Sequence, residues 1–275
     1  MSVLRIDKDM FAWCVSGLLI GIAGNALGQA ERGPERLPAV GTETGGSIGP
    51  GVRVAPDYLG AKDTRVLPVP VVYIQHGALF LDSARGAGYR YETASGLYWA
   101  QALNWDLGRV DRKSSVRPGA DRLRGMGTVK GSLVTTAELG YNVAPWLAIR
   151  AEAEFALSER DRGNRYRVGL EGALWARAQD DVWYTVDAHF SDRRFARTYF
   201  GVTPTQSAAS GFANYAPDRG LYAYSYSLNW EHRFSRHWSA LLSINAVNLT
   251  GAAGRSPIVQ ESFNVYALGA INYTF

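Results

Sequence analysis

Apolar and polar residues alternate one by one along most of this chain, and that period of two marks strands with two unlike faces. From residue 221 to 234, Tyr222, Tyr224, Tyr226, Leu228, Trp230 and Phe234 fall on one face; Ser225, Ser227, Asn229, Glu231 and Arg233 fall on the other. No helical spacing makes that division. Residues 146–158 repeat it, with Leu147, Ile149, Ala151, Ala153, Phe155 and Leu157 opposite Arg150, Glu152, Glu154 and Ser158. In residues 165–177, Val168, Leu170 and Leu174 oppose Arg167, Glu171 and Arg177; residues 131–143 and 182–191 follow the same rule.

These strands run to about ten residues, the length that crosses a bilayer at a tilt. Strands of a soluble sandwich are commonly about five or six residues, with the polar face turned to water. The connections alternate as well. Short ones fall at 76–77, 95–96, 142–145, 179–181 and 235–236, and longer ones at 57–65, 109–130, 159–164, 192–220 and 251–262. Short periplasmic turns and long external loops are the pattern of an outer-membrane barrel. The fold expected is therefore an all-β, antiparallel transmembrane β-barrel of about twelve strands, range ten to fourteen, with both ends of the barrel in the periplasm. The hairpin at residues 79–91 departs from the alternation, because its tip at 84–86 is tight where a long loop is due. Pro68 and Pro70 each remove a ladder donor from one strand, which predicts a bent or locally open seam there.

The chain closes on Gly269-Ala270-Ile271-Asn272-Tyr273-Thr274-Phe275. Gly269, Ile271, Tyr273 and Phe275 are read as the signal that the barrel assembly machinery recognises, with Ile271, Tyr273 and Phe275 turned to outer-membrane lipid.

Of the 275 residues 47% are hydrophobic and 20% charged, too polar for a helical membrane bundle, while 15 Tyr and 8 Trp supply interfacial girdles. At the start, Arg5 and Lys8 precede an uncharged stretch at 10–30 that ends in Gly28-Gln29-Ala30. This predicts a signal peptide over 1–30. A flexible periplasmic leader over 31–46 and the barrel over 47–275 follow. Cys14, the one cysteine, lies inside the signal segment, so neither a disulfide framework nor a thiolate metal site is expected beyond it. The net charge of +4 is mild and implies no nucleic acid.

Candidate chemistry is sparse. Asp187, His189 and Ser191 share one lumenal face, as a carboxylate, a base and a nucleophile would, but residues two apart point in parallel and suit a polar lining equally. His76, His232 and His237 are scattered, without metal-ligand spacing. No catalytic residue, cofactor or metal is expected. Arg150, Arg167, Arg177 and Arg233, with Glu138, Glu152, Glu154, Glu171 and Glu231, are placed to pair across strands inside the barrel. No helix is evident. The aromatic residues Tyr199, Phe200, Phe212 and Tyr215 in the 192–220 loop predict that it folds inward or over the mouth.

Ala55-Pro56-Asp57-Tyr58-Leu59-Gly60, Leu67-Pro68-Val69-Pro70, Tyr199-Phe200-Gly201-Val202-Thr203 and Ser256-Pro257-Ile258-Val259 occur in this order. With the terminal aromatic strand they resemble the MipA/OmpV family of outer-membrane proteins, from about residue 49 to 275. The resemblance implies a cell outer membrane location in a Gram-negative bacterium. It also implies a non-enzymatic scaffold that joins a lytic transglycosylase to a bifunctional peptidoglycan synthase. Members of the family described as porin-like or adhesin-like leave a small-solute channel, and less strongly an adhesin acting through the 109–130 and 192–220 loops, as alternatives. The resemblance assigns no partner-contact residues.

Overall fold

A computed structural model describes residues 44–275, so the expected signal peptide and all but the end of the expected leader lie outside the described residues. Twelve antiparallel strands close into one barrel in sequence order. They are β1 (Thr44–Pro56), β2 (Thr64–His76), β3 (Leu79–Asp82), β4 (Gly86–Glu92), β5 (Leu97–Asp106), β6 (Ser132–Ala144), β7 (Leu147–Ala156), β8 (Arg165–Ala176), β9 (Asp180–Ser191), β10 (Gly220–Arg233), β11 (Trp238–Leu249) and β12 (Phe263–Thr274). β1 begins at Thr44, so the last residues of the expected leader are strand, each paired with β2.

Alternation along the strands separates a lipid face from a lumen. Val66, Leu139, Leu170, Leu228, Ile244 and Ile271 are exposed on the outside, whereas Glu138, Arg150, Glu152, Asp187 and Asn229 are buried inside. That inversion, apolar out and polar in, is the mark of a membrane barrel. Trp105, Phe155, Tyr166 and Phe263 ring the end that carries the long loops, and Trp146, Trp230, Trp238 and Tyr273 ring the opposite end. These two aromatic belts sit where a barrel meets the bilayer interfaces. The protein is a barrel of the outer membrane.

Two residues depart from the sequence reading. Strict alternation puts Tyr222 outward with Tyr224, but an irregularity between Leu221 and Ala223 in the β9–β10 ladder turns its ring into the lumen, where it is buried. A bulge inserts one residue and so reverses the faces on one side of it. Arg177, expected in the lumen, lies past the end of β8, exposed, with its guanidinium 4.1 Å from the Trp175 ring.

Among the described residues three short α-helices stand where none was evident: α1 (Arg193–Phe200), α2 (Pro204–Ser210) and α3 (Gly251–Gly254). Asp192 caps α1 by accepting from the Phe195 N–H at 2.7 Å. Thr203 and Gln206 form a reciprocal capping box on α2 behind Pro204 at its first turn. All three helices lie in the long loops.

Closure joins the two ends of the barrel. Ile48 pairs with Tyr273 and Val52 with Gly269, and the Phe275 N–H donates to the Gly46 carbonyl at 3.0 Å. Ile271, Tyr273 and Phe275 point outward, Tyr273 packing edge-on against Trp238 at 5.2 Å. Phe275→Ala is expected to lower the amount of heat-modifiable protein in the outer membrane severalfold while leaving synthesis unchanged. Wild-type amounts of assembled variant would show that the terminal ring is not read as a signal.

Candidate functional site

The long loops converge on the outer mouth and fill it. From the 192–219 loop, α1 sends Phe195, Ala196, Tyr199 and Phe200 into the lumen, all buried. Phe195 packs on Tyr199 at 4.5 Å and on Tyr222 at 5.6 Å, and these rings rest on Ala55, Ala223, Val247 and Tyr266 of the barrel wall. A second cluster above them joins Tyr58, Ala61, Leu123, Met126, Val202 and Ile258. The aromatic side chains of the longest loop therefore fold inward, as their composition predicts, because leaving them in water would forfeit the burial of large apolar area.

The three loop segments singled out in the sequence meet in this plug. The Tyr58 hydroxyl donates to the Ile258 carbonyl at 2.8 Å, and the Ser256 hydroxyl to the Phe200 carbonyl at 2.6 Å. Gly60 has φ +95, a left-handed conformation, and a Cβ there would lie 2.8 Å from Val259. Its N–H donates to Asn264 Oδ1 at 2.6 Å while its carbonyl accepts from the Gln260 N–H at 2.7 Å. Gly201 ends α1, the Val202 N–H donates to the Tyr215 carbonyl at 2.8 Å, and Thr203 caps α2. Pro257 is half-buried between Ser256 and Ile258, both buried. Gly269, Ile271, Tyr273 and Phe275 stay apart from this plug, on the closing strand.

Residues that the sequence reading did not single out tie the loops of the plug to one another. Arg109 Nη1 donates to the Tyr199 carbonyl at 2.7 Å, and Gln206 Nε2 to the Met126 carbonyl at 2.7 Å. Burial pushes the Tyr199 phenol above the usual tyrosine range, so it stays neutral. At the rim, the Arg193 guanidinium and then the Arg219 N–H hold the Asp218 carboxyl down to about 2. A depressed carboxylate adds loop stability above its unfolded value of 3.8 and loses it as the pH falls through about 2. Titration of the Asp218 carboxyl by NMR is expected to give a midpoint near 2, and Arg193→Gln is expected to move it upward. An unmoved midpoint would mean that Arg193 is not its partner.

Beneath the plug, charged side chains fill one side of the lumen in two chains of contact. In the first, Asp106 meets Arg162 at 2.9 Å, Arg162 meets Glu154 at 3.5 Å, and Glu154 meets Arg165 at 2.7 Å. In the second, Glu152 meets Arg167 at 3.0 Å, Arg167 meets Asp187 at 3.6 Å, and Asp187 meets Arg150 at 3.0 Å. Arg150 reaches Glu138 at 3.8 Å, and Arg85, from the tip of the β3–β4 hairpin, reaches the same carboxylate at 3.0 Å. Gly169 makes this packing possible, since a Cβ there would lie 2.0 Å from Asp187 Oδ1.

The ladder also disposes of the catalytic reading of β9. Asp187 spends its carboxylate on the arginines, whereas His189 Nε2 lies 2.7 Å from Ser225 Oγ on the neighbouring strand. Ser191 Oγ has no hydrogen-bond partner among the described residues. The three residues are a lining, not a relay. Among the described residues no cluster of His, Cys, Asp or Glu could hold a metal ion.

A family model described as MltA-interacting protein MipA matches residues 48–275, which include every plug-forming segment. The chain belongs to the MipA family. No curated protein matches it. Among solved structures, it is similar to an outer-membrane channel from Pseudomonas putida F1 at 12% identity, with 89% of this chain and 100% of that one covered and a TM-score of 0.47. The translocator domain of the autotransporter NalP from Neisseria meningitidis is similar at 8% identity, with 97% and 95% covered and a TM-score of 0.46. The NanC porin is similar at 9% identity, with 83% and 98% covered and a TM-score of 0.41. These likenesses reach the barrel architecture and no further.

Proposed function

We propose that this member of the MipA family is a non-enzymatic scaffold of the outer membrane, holding a murein-cleaving lytic transglycosylase beside a bifunctional peptidoglycan synthase. The observation that carries the reading is the filled outer mouth: loop segments 55–60, 199–203 and 256–259 are spent on plugging it. A closed barrel serves as an anchor, and the surface left for soluble partners is the periplasmic rim. Phe234 stands exposed there in the β10–β11 turn, and Arg177, laid over Trp175, in the β8–β9 turn. Exposed aromatic and arginine side chains are the residue types that anchor protein interfaces. The family's own description, an interaction with MltA, agrees in kind.

The test is affinity capture of the protein from gently crosslinked envelopes. Recovery of a lytic transglycosylase together with a peptidoglycan synthase is the expected result. Their absence at good yield, with steady conductance steps from the purified barrel in a planar bilayer, would move the reading to a small-solute channel.

A further inference from the structure

Among the described residues the barrel wall is incomplete over the outer half of one side. β2 pairs with β1 from Thr64 to His76, yet its other edge meets β3 only from Tyr73 to His76. β3 and β4 turn back at residues 83–85, and β4 pairs with β5 only from Tyr98 to Leu103. Above that tip no strand among the described residues lies between β2 and β5.

Both edges of the gap are finished next to the hairpin tip. The Val72 carbonyl accepts from the Ser83 N–H at 2.9 Å, and the Val72 N–H donates to Ser83 Oγ at 3.2 Å, so the even-numbered residues of β2 aim their backbone groups at the gap. Pro68 and Pro70 are the next such positions outward, and neither has an N–H to leave unpaired. On the other side the Leu97 carbonyl accepts from Thr93, which assigns the odd-numbered residues of β5 to the gap. Trp105 shares that parity, and its N–H donates to Asn104 Oδ1 at 2.8 Å; Asn104 Nδ2 in turn donates to the Ala84 carbonyl at 3.1 Å. Unpaired donors facing lipid are costly, and two prolines plus two side-chain caps remove those nearest the hairpin tip.

Behind the gap lies a lumenal cavity of about 230 Å³. Pro70 and Val72 of the lipid face and Val69 and Val71 of the lumenal face all line it, so the cavity wraps around the free edge of β2. Inside, Val71, Leu268, Leu241 and Trp183 make an apolar stripe in a lumen that is otherwise polar. Trp183 Nε1, Asn245 Oδ1 and Asn272 Oδ1 are buried on the same lining and make no hydrogen bond to the described residues.

We propose that this gap is a lateral port through which a single-chain amphiphile of the outer membrane enters the lumen. Its hydrocarbon lies along the Val71–Trp183 stripe, and an uncharged, hydrogen-bonding head is held by the asparagine amides and the indole N–H. The cavity is smaller than the roughly 300–1,000 Å³ of pockets that enclose a whole drug-sized ligand, which suits one chain and excludes a two-chain lipid. Asp82, Asp181 and Glu231 outnumber Arg53 on the lining, which disfavours a free carboxylate head.

The test is photolabelling of the protein, purified from outer membranes, with a monoacylglycerol carrying a diazirine in its chain, followed by peptide mapping. Label on Val71, Leu241 and Leu268 is expected, and Ser243→Trp, which fills the cavity, is expected to reduce it severalfold while label on lipid-facing Ile244 persists. If Ser243→Trp fails the heat-modifiability check for folding, Val71→Trp gives the same reading at the port. Label confined to the lipid-facing belt, or lumenal label indifferent to the folded filling variant, would overturn the port. Equal lumenal labelling by a diazirine fatty acid would overturn the choice of head group. The scaffold reading stands or falls separately, on the capture experiment.

Discussion

Replacing Arg150 by Met is expected to destabilise the barrel by about 3–5 kcal/mol, the usual cost of stranding a buried charge. Arg150 Nη2 lies 3.0 Å from both oxygens of Asp187, and all these groups are shielded from water. Without it, Asp187 keeps Arg167, at 3.6 Å. The loss comes from desolvated charge rather than from volume, since Met fills most of the space. Arg150→Met combined with Asp187→Asn is therefore expected to recover most of the stability. Urea unfolding in detergent micelles, followed by tryptophan fluorescence, measures both. A single-variant cost below about 1 kcal/mol, the range of exposed pairs, would mean that water reaches the ladder and that the lumen is wet.

Phe195→Ala is expected to release the plug. The ring is fully buried between Tyr199 and Tyr222, and removing a buried Phe costs about 3–5 kcal/mol. α1 is a single eight-residue element in a loop, so the cost falls on local opening rather than on the whole barrel. Added protease is expected to cut the 192–219 loop of the variant on intact cells and to spare the parent protein. Cleavage of the parent under the same conditions would refute the inward-folded loop.

Most of the barrel was legible because a strand's faces follow from parity alone. Leu139, Ile149, Val168 and Leu228 point outward where the alternation puts them, and Pro68 and Pro70 do border an open seam. Parity fails where one residue is inserted: the irregularity at Leu221 and Ala223 has no residue-type signature and carries Tyr222 inside. The helices had local signals in Asp192 and in Thr203-Pro204-Thr205-Gln206, but one or two turns of helix show too little periodicity to separate from loop. The plug was legible as a tendency of aromatic residues to leave water. Its partners were not: the contacts of Tyr58 with Ile258 and of Arg109 with Tyr199 join residues far apart in sequence. Asp187 and His189 were correctly placed on one face, yet which neighbours each would choose depended on strands β7 and β10.

The lumenal charges are unevenly shared, with Glu138, Arg150, Glu152, Glu154, Arg165, Arg167 and Asp187 all on β6–β9. The β10–β12 wall offers mostly neutral side chains beside Glu231, among them Ser225, Asn229, Ser239, Ser243, Asn264 and Asn272, with Ser243 donating to Asn229 at 2.6 Å. The desolvation penalty of ion pairs falls as temperature rises, whereas neutral hydrogen bonds gain no such compensation. On warming, the barrel is therefore expected to behave as a stiff brace with a compliant flank, its breathing concentrated in the arc that borders the cavity.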